Sequence, residues 1–516
     1  MNKELQTVFT YHEQTKHAQH RYARSLGYMD WETQPNPFRE YKSCETIQLP
    51  LADDNSTPPY NLLDEDLPPA PLLKESISQL MQFSMGIAAW KESGGSSWAV
   101  RCNASSGNLH PTESYLVLPP VLEEQNGSTC IYHYAPKKHT LEKLAQLETS
   151  LWDELPEGSF IIGLSSIVWR EIWKYGERAF RYTQLDAGHA WNSIEVSAKL
   201  LGWSLTRLDS ISHNDMSTLL GLSQENRFFE DEEPDMLFVV SPNHVDPSLS
   251  LDSLISATPL SFDSIANKLS SKMQSWEIIP QIQDATCKTE VPQKSLHVEK
   301  IKREPSYDSK YVVLNRRSIH VMQKEVSEIT SEQFHTVLNS VAQSQDKKEN
   351  SAHLAIFVHQ VETYEAGLYM LIRNDRDLEN LKEQMYSHFE WKETEFKNLY
   401  FLYAKDFTMT SRAISCSQDI ASDGAFSLGM LCNFSEQLQT HGAHRYKELY
   451  WECGAIGQQL YLEATSLRLS GTGIGCFLDD DMHNVLGLKD NRFQILYHFT
   501  VGRGYVDSRI MTKPAY

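Results

Sequence analysis

Lys174 and Tyr175 stand side by side in WREIWKYGERAFRY, with Arg170, Arg178, Arg181 and Tyr182 around them. A lysine next to a tyrosine can move a proton or anchor a substrate once one of the two is partly buried. A second candidate is ASSGNLHPTESYLV (104–117), in which Ser105, Ser106, Gly107 and Asn108 precede a proline and a strand. A bend of that composition turns amides and short polar side chains towards a planar polar ligand, although a plain loop-to-strand turn has the same composition. Arg316, Arg317 and Ser318 form a third group, whose two guanidiniums and hydroxyl, read as lying beside a helix N-terminus, suit a terminal phosphate. Arginine pairs on a solvated face are nevertheless commoner. In GTGIGCFLDDDMHNVLGL (471–488), Gly471, Gly473 and Gly475 are read as the point where the chain leaves a long helix. Alternating glycines allow a ligand close to the backbone, here around Gly473, Ile474 and Gly475. The spacing is not that of a dinucleotide-binding fingerprint, and a helix C-cap followed by a new helix near Asp479 is the alternative. TVGRGYVDSR adds Arg503 and Arg509 as further phosphate contacts. His12, His17 and His20 read as a solvated helix rather than a metal site, and no metal is expected.

The elements that must position these groups read as follows. Residues 1–75 are polar and proline-punctuated, an extended arm laid over a core. Ile77, Leu80, Met81, Met85 and Ala88 have helical spacing over Ser76 to Trp90. YLVLP, IYHY, SFIIGL and MLFVVSP read as strands, with a long helix through Ile194, Ala198 and Leu201, and this first unit closes at 242. Residues 243–309, rich in Ser, Asp and Pro, read as a loosely packed linker. The order then repeats over 310–516: RRSIHVM leads to a helix, HLAIFVHQV and GLYMLI are strands, a long helix covers about 448–468, and FQILYHFTVG is the last strand. KYGERAFRYTQLDAGHA aligns on THGAHRYKELYWECGAI, pairing Gly176 with Gly442, Asp186 with Glu452, Gly188 with Gly454 and, further on, Ala198 with Ala464, each 266 positions apart. One supersecondary plan thus occurs twice. On this register the counterparts of Lys174 and Tyr175 are Thr440 and His441, so that pair is present once.

The 516 residues exceed one ordinary domain, and 41% hydrophobic with 22% charged residues is a globular composition. A formal charge of −21 excludes a general nucleic-acid or anionic-membrane binder, so any phosphate held here is small and bound locally. The eight cysteines contain no CxxC pair and read as reduced thiols of a cytoplasmic protein. No segment reads as a signal peptide or membrane span.

The stretches ASSGNLHPTESYLV, KYGERAFRY with DAGHA, NRRSIH, ECGAIGQQLYLEATSL with GTGIGCFLDD, and HFTVGRGYVDSR resemble the FMN-dependent nitroreductases. The likeness is to the branch holding the SagB-like azoline oxidases and their tandem bacterial relatives, and it spans about residues 76–242 and 310–510. The resemblance implies an α+β sandwich, normally a homodimer with each FMN at the subunit interface. One subunit of that family contributes the Arg-Arg-Ser segment, the glycine amides and the C-terminal arginine, and the other contributes the Ser/Asn loop. Here the first repeat has the loop without the arginines, and the second has the arginines without a recognisable loop before HLAIFVHQV. The expectation is an intramolecular pseudo-dimer with one composite FMN site. Arg316, Arg317, Ser318 and Arg509 would hold the phosphate, Gly473, Ile474 and Gly475 would face the ring, and Ser105, Ser106 and Asn108 would close the site. Lys174 and Tyr175 match the pair implicated in catalysis in the azoline oxidases. The implied activity is dehydrogenation of an azoline-like or peptide-derived substrate. The alternatives are NAD(P)H-driven reduction of a nitro compound or quinone, and a flavin-free scaffold.

Overall fold

The apolar runs read as strands form two sheets of seven strands each in a computed structural model that describes residues 2–53, 57–152, 155–224, 226–288, 307–342 and 350–516. The first sheet contains β1 (Thr46–Gln48), β2 (Thr112–Leu118), β3 (Thr129–Ala135), β4 (Thr140–Leu147), β5 (Phe160–Ser166), β6 (Ser204–Arg207) and β7 (Glu233–Ser241). The second contains β8 (Ala352–Val358), β9 (Gly367–Leu371), β10 (Lys392–Glu393), β11 (Leu399–Ala404), β12 (Phe426–Cys432), β13 (Ser470–Ile474) and β14 (Gln494–Gly502). Their spatial orders, β1-β4-β3-β2-β5-β7-β6 and β10-β11-β9-β8-β12-β14-β13, are the same plan with a different outermost strand. Every pairing is antiparallel. The fold is therefore α+β, built twice.

The two halves meet along two long helices, Ala179–Lys199 and Arg445–Ser466. They touch at the glycines that the repeat had paired: a Cβ on Gly188 would lie 2.2 Å from the carbonyl oxygen of Trp451, and one on Gly454 would lie 2.1 Å from that of Leu185. Only hydrogen side chains allow backbones this close, which is why two poor helix formers sit inside helices. On one side Ile194 and Ala198 join the apolar core of the first sheet; on the other Leu460 and Ala464 join that of the second.

Both ends of the chain reach across this interface. Helix Lys3–Gln14 is no extended strap: Tyr11 and His12 are buried against Tyr446, and His12 Nε2 lies 3.1 Å from Gln494 Oε1. His12 and His17 are thus packed, not solvated as the spacing had indicated, while His20 is exposed. At the other end Met511–Lys513 pairs with Ile87–Ser93 of the first half. That strand corrects the helix expected over Ser76 to Trp90, which ends at Ser84. The stretch read as a loose linker also packs: Leu251, Leu254, Phe262, Ile278, Ile279 and Ile282 are buried, because its apolar residues outnumber what a solvated loop can hold. Its residues 289–306 lie outside those described, as do 343–349 in the segment before β8 where no Ser/Asn loop was found. No helix among the described residues is long and apolar enough to cross a membrane.

Candidate active site

The site is built where the Ser/Asn loop of the first half meets the arginines of the second. Arg316 donates from Nε to the carbonyl of Cys102 at 2.8 Å and from Nη2 to that of Arg101 at 2.9 Å. Among the described residues its Nη1 is buried with no hydrogen-bond partner. Arg317 donates only to the carbonyl of Arg316 among the described contacts. Burial, followed by the neighbouring guanidinium of Arg316, brings Arg317 down to about 10, and burial lowers Arg316 as well. Lys91, a residue that sequence reasoning missed, is lowered by burial and then by Arg317, which makes it a third cation nearby. Among the described residues no carboxylate pairs with Arg316 or Arg317. Two desolvated guanidiniums without a counter-charge are costly unless an anion joins them.

Two expectations fail here. The arginines follow the C-terminus of helix Ser309–Asn315, with Arg316 as its C-cap, so no helix N-terminus assists an anion. Arg509 is engaged by a neighbour: its side chain is 85% exposed and paired with Asp507 at 2.7 Å.

The glycine stretch is a strand, β13, at the sheet edge rather than a helix exit, because alternation around Thr472 suits pairing with β14. Ser318 bridges to Gly471 in parallel and its hydroxyl lies 2.8 Å from Tyr461 Oη, which also accepts from the amide of Gly473 at 2.8 Å. Tyr497 lies over the same strand, since a Cβ on Gly473 would fall 1.8 Å from its hydroxyl. Ile474 is buried within β13, and the carbonyl of Gly475 accepts from Tyr182 Oη at 3.0 Å.

The loop side is held from beneath. Ser106 donates from its amide and hydroxyl to Asp186, both at 2.9 Å to Oδ1. Ser105 Oγ accepts from the amide of His110, and Asn108 donates to the carbonyl of Ala99. These side chains therefore set the shape of the loop. Gly107, at φ 60°, forms its apex against the catalytic candidates: a Cβ there would be 2.7 Å from Tyr175 Oη and 3.0 Å from Lys174 Nζ. Lys174 and Tyr175 end the helix Trp169–Tyr175, and the ring of Tyr175 lies 4.4 Å from that of Tyr182. Glu171, one turn earlier, is buried with both carboxyl oxygens unpartnered. Burial, then Asp186, raises its carboxyl well above the ordinary carboxylate range, against the opposing charges of Lys174 and Arg170. His189 completes the ring, with Nε2 at 3.3 Å from Tyr497 Oη and Nδ1 buried without a hydrogen bond. Contacts thus run from Lys174 through Tyr175, Tyr182 and Gly475 on one side, and from Arg316 through Tyr461 and Gly473 on the other.

The remaining arginines of the donor cluster are structural. Arg170 pairs with Glu113, while Arg178 and Arg181 pair with Asp479 at 2.9 and 2.8 Å, joining the halves. Burial opposes the charge of Asp479, yet the two guanidiniums hold its carboxyl well below the usual range.

At the equivalent place on the other side of the interface the residues differ. The offset of 266 puts Trp191 where Gly457 stands, Arg207 where Gly473 stands, and Trp451 where Leu185 stands. Arg207 and Gly473 occupy matching registers, opposite Phe238 and Phe499 respectively. The Arg207 guanidinium lies 5.3 Å from the Trp191 ring and 5.9 Å from the Trp451 ring, and it pairs with Asp209 at 2.8 Å and with Glu448 at 3.7 Å.

Residues 313–503 match the family model described as the Nitroreductase family. A protein of Methanocaldococcus jannaschii, provisionally named a nitroreductase, is 24% identical over 130 residues, which cover 23% of this chain and 63% of that protein. The chain thus spans less than two thirds of that relative. A crystal structure from Anabaena variabilis, also provisionally named a nitroreductase, superposes with a TM-score of 0.69 at 22% identity, covering 97% of this chain and 99% of that one. The tandem fold as a whole is therefore shared with a known structure.

Proposed function

We propose that the chain is an FMN-dependent oxidoreductase with one flavin in the composite site between its halves. The observation that carries this reading is the buried guanidinium of Arg316 with half-buried Arg317 beside it, both left without a carboxylate among the described residues, Arg316 being bonded to the end of the strand that leads to the Ser/Asn loop. A phosphate fits that end: it would engage the open Nη1 of Arg316 and the fork of Arg317. Arg509 is not needed there.

Bound FMN supplies hydride transfer. The chain supplies the rest. Ser105, Ser106 and Asn108 hold the loop that closes the site, and Gly473, Ile474 and Gly475 are the backbone that would face a ring, the Gly473 amide being held by Tyr461 and the Gly475 carbonyl by Tyr182. Lys174 Nζ and Tyr175 Oη, both against Gly107, would hold or deliver a proton, with the buried carboxyl of Glu171 one turn away. Their pairing favours dehydrogenation of an azoline-like or peptide-derived substrate over NAD(P)H-driven reduction of a nitro compound or quinone. A flavin-free role is favoured by one observation, that the Gly473 amide and Ser318 hydroxyl are already joined by Tyr461.

Titration with FMN, followed by flavin fluorescence, separates these readings. Binding weakened at least about 100-fold in Arg316→Ala/Arg317→Ala, with Arg509→Ala near wild type, is the expected result, since each charged contact is worth roughly 1.5–3 kcal/mol. No binding to the wild-type chain contradicts it.

A further inference from the structure

Cys416 and Cys476 come from different parts of the second half, one following helix Thr408–Ile414 and the other following Gly475, yet their sulfurs stand 2.7 Å apart. His17, from the N-terminal segment, places Nδ1 3.7 Å from the Cys476 sulfur. His17 is held by reciprocal contacts with Asp479: its amide donates to Oδ2 at 2.8 Å and its carbonyl accepts from the Asp479 amide at 3.1 Å. Cys416 and the following Ser417 both have positive φ, 54° and 61°, a conformation that non-glycine residues rarely adopt. Both cysteines are half-buried.

Three donors of this kind also suit a thiophilic metal, since their ligand atoms lie within 4.8 Å of one another. The sulfur spacing decides against that use. Two thiolates on one tetrahedral zinc, each bonded at about 2.3 Å, stand roughly 3.8 Å apart, whereas a disulfide needs about 2.05 Å. The observed pair is nearer to the second arrangement.

We propose that Cys476 and Cys416 form a reversible dithiol/disulfide site that exchanges with small-molecule disulfides of the glutathione type, with Cys476 as the attacking thiol and Cys416 as the resolving one. The Cys476 thiolate attacks one sulfur of the small disulfide, forming a mixed disulfide and expelling one thiolate. Cys416 then loses its proton and attacks the Cys476 sulfur, which forms the protein disulfide and releases the second thiolate. Two cysteine thiols are oxidised and one small disulfide is reduced to two thiols. The division of roles agrees with the local chemistry: the Cys416 thiol and His17 bring Cys476 below the ordinary thiol range, and the same contact together with burial raises Cys416. Oxidation ties the loop after Thr408–Ile414 to the residue following Gly475, whose carbonyl accepts from Tyr182 beside Tyr175. This inference needs no bound flavin.

The full-length protein, incubated with reduced and oxidised glutathione at set ratios, acid-quenched, alkylated and digested, reports the site by mass spectrometry. Expected is a Cys416–Cys476 crosslinked peptide that appears as the ratio becomes oxidising and disappears with dithiothreitol. In Cys416→Ser the reaction should stop with one glutathione on Cys476, and in Cys476→Ser neither product should form at this site. The proposal is overturned if both cysteines of the wild-type chain remain alkylatable at every ratio. It is equally overturned if the disulfide forms only between buried Cys432 and Cys453, or if the purified protein carries one zinc per chain that shields both thiols until it is chelated.

Discussion

The repeat presents two equivalent places beside the paired helices, and they have been put to opposite uses. At one, Gly457 and Gly473 face His189 and Tyr497, and among the described residues Arg316 Nη1 and both oxygens of Glu171 are buried without a hydrogen bond. At the other, Trp191, Arg207 and Trp451 occupy the corresponding positions, and the Arg207 charge is met by Asp209 and Glu448. The first has polar valences that a ligand can satisfy. The second is occupied by half-buried Trp191 and Arg207 with buried Trp451, and its charge is already met. A duplicated interface of this kind can keep one site and spend the other on stability, because large side chains that would obstruct a ligand add buried area where none binds.

The largest test of this contrast is at Lys174. Lys174→Ala should retain flavin and lower turnover by about 100-fold, within the usual range for a positioned acid or base. Steady-state rates measured beside flavin content check it, and unchanged turnover would remove Lys174 from the proposed chemistry. Next is the helix crossing on which both places depend. Gly188→Ala puts a methyl 2.2 Å from the Trp451 carbonyl, and forcing that contact should cost about 1–3 kcal/mol in denaturant unfolding. A wild-type midpoint would mean that the halves are less tightly joined than the structure has them. The smallest expected effect on ligand binding comes from the closed place. Arg207→Gly restores the residue type found at its counterpart, yet it should give no second flavin, because Trp191 and Trp451 remain. Its cost should appear only as a modest loss of stability, read by thermal unfolding.

Much of this arrangement was legible in the sequence, for reasons that can be located. The offset of 266 paired Gly188 with Gly454, and those two residues face each other because a close helix crossing tolerates no side chain at either. The Ser/Asn loop and Lys174–Tyr175 meet at Gly107, as their shared repeat implied. What could not be read were groups whose role depends on distant partners. Arg178 and Arg181 looked like ligand donors until Asp479 claimed them. Lys91 carried no local signal, since only the fold brings it near Arg317. Arg509 followed the expected pattern but found Asp507 two residues away. The glycines 471 to 475 read as a helix exit because a long helix precedes them; that helix ends at Ser466, and Ser470–Ile474 pairs with β14 as an edge strand. Cys476 is 60 positions from Cys416 and 459 from His17, and no spacing rule could join them.

The central claim is one ligand site from two repeats. Its most direct measurement is the flavin released by denaturing the FMN-saturated, purified chain, counted by absorbance against protein. The account predicts close to one FMN per chain. Two per chain would contradict it, since the place closed by Trp191, Arg207 and Trp451 would then have to hold a flavin as well.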